Sequence, residues 1–186
     1  MKVIVAILSM TAFLSDLYPQ NADQRWSLGL SGGKTEYAGE LGSGLFRWKP
    51  YYFHGAVHLG RYLCPSFDLN VQFEHGAYGF FADETGNFRT VKTDGMLLLR
   101  YKFNNGYLLG KDIRIAPYLV TGFGFAAYAG DEYQADTGGP DAIIPLGGGL
   151  RLNITRSVSL QYQALYNFTG GDHRDLDDSS EGNDHF

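Results

Sequence analysis

The sequence predicts an all-β fold: an up-and-down antiparallel β-barrel whose strands each carry one apolar and one polar row. Three observations predict it. Apolar and polar residues alternate with period two, in segments of about ten residues separated by turn-rich stretches. Aromatic residues reach 15% and glycines number 25, while charged residues make up only 19%. That composition suits crowded, twisted, pleated strands better than helices. After the first residues, no segment approaches the roughly 18 continuous apolar residues of a transmembrane helix.

Met1-Lys2 is followed by Val3 to Leu14, one basic residue and then about a dozen mostly apolar ones. That is the size of an export-signal core and too short for a membrane span. Residues 1–22 are therefore read as a signal peptide, cleaved between Ser15 and Asp23, and residues 23–186 as the barrel domain.

Seven strands follow. Trp26 to about Tyr37 and Pro117 to Tyr128 are Gly-rich and less regular. Phe53, Val57, Leu59 and Leu63 oppose His54, His58 and Tyr62, with Arg61 among the apolar set. Phe67, Leu69, Val71, Phe73, Ala77 and Phe81 oppose Asp68, Asn70, Gln72, Glu74 and Tyr78, with His75 the misfit. Leu97, Leu99, Tyr101 and Phe103 oppose Arg100 and Lys102. Ile144, Leu146, Leu150, Leu152 and Ile154 oppose Gly147, Gly149, Arg151 and Asn153. The cleanest strand is the last: Val158, Leu160, Tyr162, Ala164, Tyr166 and Phe168 face away from Ser159, Gln161, Gln163 and Asn167, with Leu165 the exception.

The connectors alternate in character. Cys64-Pro65-Ser66 and Thr155-Arg156-Ser157 read as tight turns, whereas Ala82–Arg89, Gly130–Asp141 and Gly170–Phe186 read as longer polar loops. Asn104–Arg114 breaks the rule, being long where a short turn is expected. Short turns at one end and long loops at the other describe a barrel that spans a membrane with its strands. The mean hydropathy of −0.20 fits, because such a barrel shows lipid only every second residue.

Energetics orient the strands. An Arg or Lys facing lipid at mid-bilayer costs about 2–4 kcal/mol. Glu74, Arg100 and Arg151 lie on polar rows, so those rows face the lumen, with Gln161 and Gln163 beside them. Isolated charges in a narrow lumen are costly, so Glu74 is expected to pair with Arg100 or Arg151. Tyr52, Tyr62, Tyr101, Tyr118, Tyr128 and Tyr166 sit near strand ends and are expected to form aromatic girdles. A barrel of eight strands has an interior just wide enough for side chains, which makes a plug rather than a wide pore.

Four stretches carry a resemblance to a known family: Arg25–Leu30 (RWSLGL), Arg61–Asp68 (RYLCPSFD), Leu97–Tyr107 (LLLRYKFNNGY) and Ile115–Leu119 (IAPYL). In this order they resemble the N-terminal barrel of outer membrane protein A (OmpA)-like proteins of the form common in Bacteroidetes. The resemblance implies an eight-stranded barrel of the OmpA type in the cell outer membrane, serving envelope integrity, with surface loops open to adhesion. Many such proteins continue into a periplasmic domain that grips peptidoglycan. Two departures stand out: no alternating eighth strand follows Gly170, and no peptidoglycan-binding domain is present. The expected picture is a barrel with its final strand missing, two open edges, and a native chain that continues. Its partners are then outer-membrane lipid and, through the missing domain, peptidoglycan.

Other chemistry finds little support. The net charge of −5 and the lack of a basic stripe argue against a nucleic-acid partner. Cys64 is the sole cysteine, so no internal disulfide can form. His54 and His58 stand four residues apart in a strand, about 13 Å, too far to share a metal. With Ser31 or Glu74 they would form a catalytic group only if aligned outward at the rim, so they are read as lumen hydrogen-bonders. The acidic run from Asp172 to Asp184 lacks the spacing of a calcium loop. Gly147-Gly148-Gly149 lacks the Lys-Ser/Thr of a phosphate loop and is read as crowding between strands. No enzyme activity, cofactor or metal is expected. The competing readings are a soluble lipocalin-like barrel holding an apolar ligand and an outer-membrane lipid A-modifying hydrolase.

Overall fold

Alternating side chains need a surface with two unlike sides, and the chain builds one by curling an antiparallel sheet. The computed structural model describes residues 5–16, 25–39, 42–43, 52–82, 86–129, 140–155 and 158–169. At 5–16, 37–39, 42–43, 79–82 and 86–88 it describes the backbone alone. The Gly170–Phe186 loop and most of Gly130–Asp141 lie outside the described residues.

In chain order the strands are β1 (Val5–Asp16), β2 (Trp26–Gly39), the two-residue β3 (Gly42–Ser43), β4 (Phe53–Cys64) and β5 (Phe67–Ala82). They continue with β6 (Gly86–Lys102), β7 (Ile115–Ala129), β8 (Asp141–Asn153) and β9 (Ser159–Thr169). The seven strands β2, β4, β5, β6, β7, β8 and β9 pair antiparallel, each with the next, so the up-and-down order expected from the sequence is present. The turn Pro65-Ser66 joins β4 to β5.

Two expectations need correction. The loop expected at Ala82–Arg89 is largely strand: β5 and β6 stay in register as far as Ala82↔Gly86. Polar residues there continue the ladder because the extended hairpin satisfies its own backbone groups. The open edges are also filled. The backbone of β1 pairs with β2 from Ala6↔Ala38 to Leu14↔Leu30, and with β9 from Val5↔Thr169 to Asp16↔Ser159. A segment whose sequence resembles an export signal thus lies between the first and last of the seven strands, where an eighth would stand.

Burial alternates as the sequence does. The inner row is buried and the outer row largely exposed along β4, β7 and β8, while on β9 the outer row is half-buried apart from the exposed Tyr162. A cluster of apolar residues fills part of the interior: Met96, Leu98, Tyr118, Val120, Ala126, Ile143 and Leu165. Leu165, the exception in the last strand, has no exposed surface and completes that cluster.

Candidate functional site: a charged lumen inside an apolar wall

The inner rows carry chemistry that soluble cores avoid. Glu74 and Arg100 are each only 3% exposed, and Asp68, Lys92, Asp94, Lys102 and Arg151 are also buried. Charges this deep need partners, because burying an unpaired ion costs several kcal/mol. They fall into two clusters, anchored on β5 by Asp68 and by Glu74. Those two carboxylates stand six residues apart, about 20 Å along the strand.

The first cluster lies near the Pro65-Ser66 turn. Register places Asp68 opposite Arg100. Lys102 Nζ donates to Asp68 Oδ1 at 2.5 Å, and Arg151 Nη2 lies 3.8 Å from Asp68 Oδ2. The Arg100 guanidinium stacks 4.4 Å over the Tyr118 ring, and Lys102 Nζ lies 4.4 Å from the Tyr62 ring. Desolvated cations over aromatic faces gain up to about 2 kcal/mol. Tyr118 also donates to Gln163 Oε1 at 3.3 Å, so its hydroxyl is satisfied. Its ring rests on Gly149, directly opposite in register. A Cβ at Gly149 would run into the Tyr162 backbone carbonyl on β9 and sit 2.6 Å from the Tyr118 ring carbon that bears the hydroxyl, so only glycine fits between them. That is the crowding the Gly147-Gly148-Gly149 run implied.

The second cluster lies toward the other end. Lys92 Nζ is 2.5 Å from Asp94 Oδ2 and 3.9 Å from Glu74 Oε1. Gln72 Nε2 donates to Glu74 Oε2 at 3.2 Å. His54 Nδ1 lies 2.9 Å from Thr35 Oγ1 and 3.9 Å from Glu74 Oε1. Both contacts fall on the same ring nitrogen, so His54 cannot pass a proton between them in this arrangement. Ser31 donates instead to the carbonyl of Ala56. Between the clusters the inner row changes character: Leu98 pairs with Asn70 and Met96 with Gln72, which in turn pairs with His58, and all are buried.

Glu74, Arg100, Arg151, Gln161 and Gln163 all lie on the buried inner row. The expected pairing of Glu74 with an arginine is overturned. Arg100 and Arg151 sit at the level of Asp68, one cluster away, and the cation beside Glu74 is Lys92, at 3.9 Å. The sequence reading missed Lys92, Asp94 and the role of Tyr118. Counting back by twos from Lys102 reaches Lys92, but Leu98 and Met96 interrupt the polar row and hide the parity.

The girdle expectation is partly corrected. Tyr101 lies on the outer side with Phe67 and Phe103, ring centroids 5.3 and 5.4 Å away, and Tyr166 packs on Phe168. Tyr62, Tyr118 and Tyr128 belong to inner rows, since an even-numbered place in β4 or β7 points inward whatever its height. Tyr128 packs edge-on against the buried Tyr78. Tyr52 is half-buried before β4, and its carbonyl accepts from Thr35 N–H at 2.8 Å.

The outer wall is the converse of the lumen. Large apolar side chains stand exposed on every strand from β4 to β9: Phe53 and Phe73, Leu99, Phe123 (58%), Ile144 and Leu146, and Tyr162. Leu28 and Leu30 continue the wall on β2. On β7 the exposed apolar positions run from Ile115 to Phe125, ten steps or about 33 Å along the strand. At a strand tilt near 40° that is about 25 Å in height, the height of a barrel's lipid-facing band. Thr121 on β7 aside, polar groups on the outer row gather at the two ends. Arg61 lies 5.2 Å from the Trp26 ring near the turns, and His75 with Thr93 (2.8 Å) and Lys34 with Glu36 (2.6 Å) lie toward the loops.

Among the described residues no group of three or more His, Cys, Asp or Glu is arranged to hold a metal ion, and Cys64 is a half-buried free thiol. No family model matches the chain, and no curated protein matches it.

Proposed function

We propose that this chain is an outer-membrane β-barrel of the OmpA-like type whose work is mechanical: it occupies and stabilises the outer membrane and displays loops at the cell surface. One observation carries the reading. Each strand from β4 to β9 exposes large apolar side chains while Asp68, Glu74, Lys92, Asp94, Arg100, Lys102 and Arg151 are buried, the reverse of what water selects. A continuous apolar wall of this size left in water is an aggregation hazard, whereas hydrocarbon is a matching solvent for it.

The same arrangement disfavours the two competing readings. A lipocalin-like carrier needs an apolar interior, but this interior holds Asp68, Glu74, Lys92, Asp94, Arg100, Lys102 and Arg151. A lipid hydrolase needs its histidine at the rim, but His54 and His58 are buried on inner rows. In the proposed reading residues 1–22 are the export signal, and the slot between β2 and β9 belongs to another strand once they are removed. Open edges in lipid would leave backbone groups unsatisfied at several kcal/mol each. The tie to peptidoglycan belongs to a further domain in this reading, and none of the described strands is assigned to it.

A gel-mobility test decides between membrane and soluble barrels. The detergent-folded protein should migrate differently before and after boiling and should need detergent or lipid to stay in solution. A monomer that is soluble without either would overturn the proposal.

A further inference from the structure

The connector between β6 and β7 is long, whereas the Pro65-Ser66 turn at the same end is tight, and its tip is apolar. Tyr107 is 88% exposed and Leu108 58%, with Leu109 also exposed. The segment is a built loop. Asn105 Oδ1 accepts from Tyr107 N–H at 2.9 Å and Leu108 N–H at 3.0 Å. Gly106 supplies a φ of +88° that a residue with a side chain would resist. Gly106 N–H donates to the Leu109 carbonyl, and Leu109 N–H to the Phe103 carbonyl, both at 3.0 Å.

Those bonds fix where the tip stands. Leu109 is tied to Phe103, which packs on Tyr101 in the outer aromatic cluster at the edge of the apolar wall. The far side of the loop is tied to β8, where Asn153 N–H donates to the Arg114 carbonyl at 2.9 Å, beside the exposed Ile154 and Ile115. Both ends of the loop thus adjoin the wall, and Leu109 is held beside one of them. Lys111 and Arg114, both exposed, follow it directly, against one acidic neighbour, Asp112. An aromatic and two aliphatic residues followed by basic ones is the composition of a segment that lies in a membrane interface.

We infer that the loop 103–114 is an interfacial anchor: Tyr107, Leu108 and Leu109 seat in the headgroup–acyl boundary of the turn-side leaflet, with Lys111 and Arg114 toward anionic headgroups. This rests on the membrane reading above and adds a second, loop-borne lipid contact to it.

Spin labels at single cysteines test it. In a Cys64→Ser background, Leu108→Cys and separately Tyr107→Cys carry the reporter, and Leu119→Cys on the outer row of β7 serves as the wall control. Each variant is refolded into phosphatidylcholine–phosphatidylglycerol vesicles and checked for the folded gel mobility. The collision rate of each label with oxygen is compared with that of a water-soluble nickel complex. The inference expects labels at 107 and 108 to favour oxygen, as the label at 119 does. Labels at 107 and 108 that favour nickel, with 119 favouring oxygen, overturn the anchor and leave the membrane reading standing. If the label at 119 also favours nickel, the membrane reading falls and the anchor with it.

Discussion

Replacing Leu119 by arginine separates lipid from water outside the barrel. Leu119 is 54% exposed on the outer row of β7, four steps from Ile115 and six from Phe125. At about 3.3 Å per step and a tilt near 40°, it lies about 10 Å above one end of the apolar wall and 15 Å below the other. That is close to the midplane, where an arginine facing hydrocarbon costs about 2–4 kcal/mol. Ile115→Arg, at the wall's end, should cost about 0–1 kcal/mol because the guanidinium reaches headgroups. Against water, either substitution of an exposed residue should stay within about 0.5 kcal/mol. Urea titrations of refolding into phospholipid vesicles, read by gel mobility and far-ultraviolet dichroism, give both values. A flat profile, with Leu119→Arg no worse than Ile115→Arg, refutes the depth argument.

Four further outcomes follow from the interior and the seam. Asp68→Ala leaves Lys102 and Arg151 without their shared carboxylate and should cost about 3–5 kcal/mol in the same titration. Asp68→Leu combined with Lys102→Met should recover part of that loss, whereas equal damage in single and double variants would contradict the pairing. Gly149→Val should weaken folding, because a Cβ there would run into the Tyr162 backbone carbonyl on β9 as well as the Tyr118 ring, and Tyr118→Ala should restore little of the loss; full recovery in the double variant would contradict the backbone clash. In planar bilayers the protein should pass no large steady current, because Met96, Leu98, Val120 and Leu165 occlude part of the lumen; conductance on the scale of a wide porin would contradict that plug. Amino-terminal sequencing of protein from native membranes should begin between Ser15 and Asp23, and a chain that retains Val5–Asp16 would make β1 a permanent strand and end the signal reading.

Much of this fold is legible because a strand's side-chain period is two. Phe67 to Glu74 sorts by parity alone, and the structure buries Asp68, Asn70, Gln72 and Glu74 while exposing Phe67, Val71 and Phe73. Leu165 broke the pattern, since an apolar inner residue looks like a mistake until Leu98, Val120 and Ile143 are seen around it. Pairing within the lumen was not legible. Parity gives the face of Glu74 and Arg100, but the β5–β6 register that sets them six residues apart is fixed by the hairpin that joins the two strands, not by parity. Tyrosine was ambiguous for a related reason. Its ring suits lipid and its hydroxyl suits a polar lumen, so position near a strand end did not tell Tyr101 from Tyr118. The β5–β6 hairpin was misread because polar residues above an apolar wall look like a loop, although the backbone continues to pair.

The most direct test of the central claim uses a residue already in the chain. Trp26 stands 55% exposed on the outer row of β2, and replacing Trp48 by Phe leaves it the sole tryptophan. In vesicles of brominated phospholipid, its fluorescence should be quenched by bromine on the acyl chains and shielded from aqueous acrylamide. Emission that acrylamide quenches freely, and that brominated lipid leaves unchanged, would contradict an apolar wall set in a membrane.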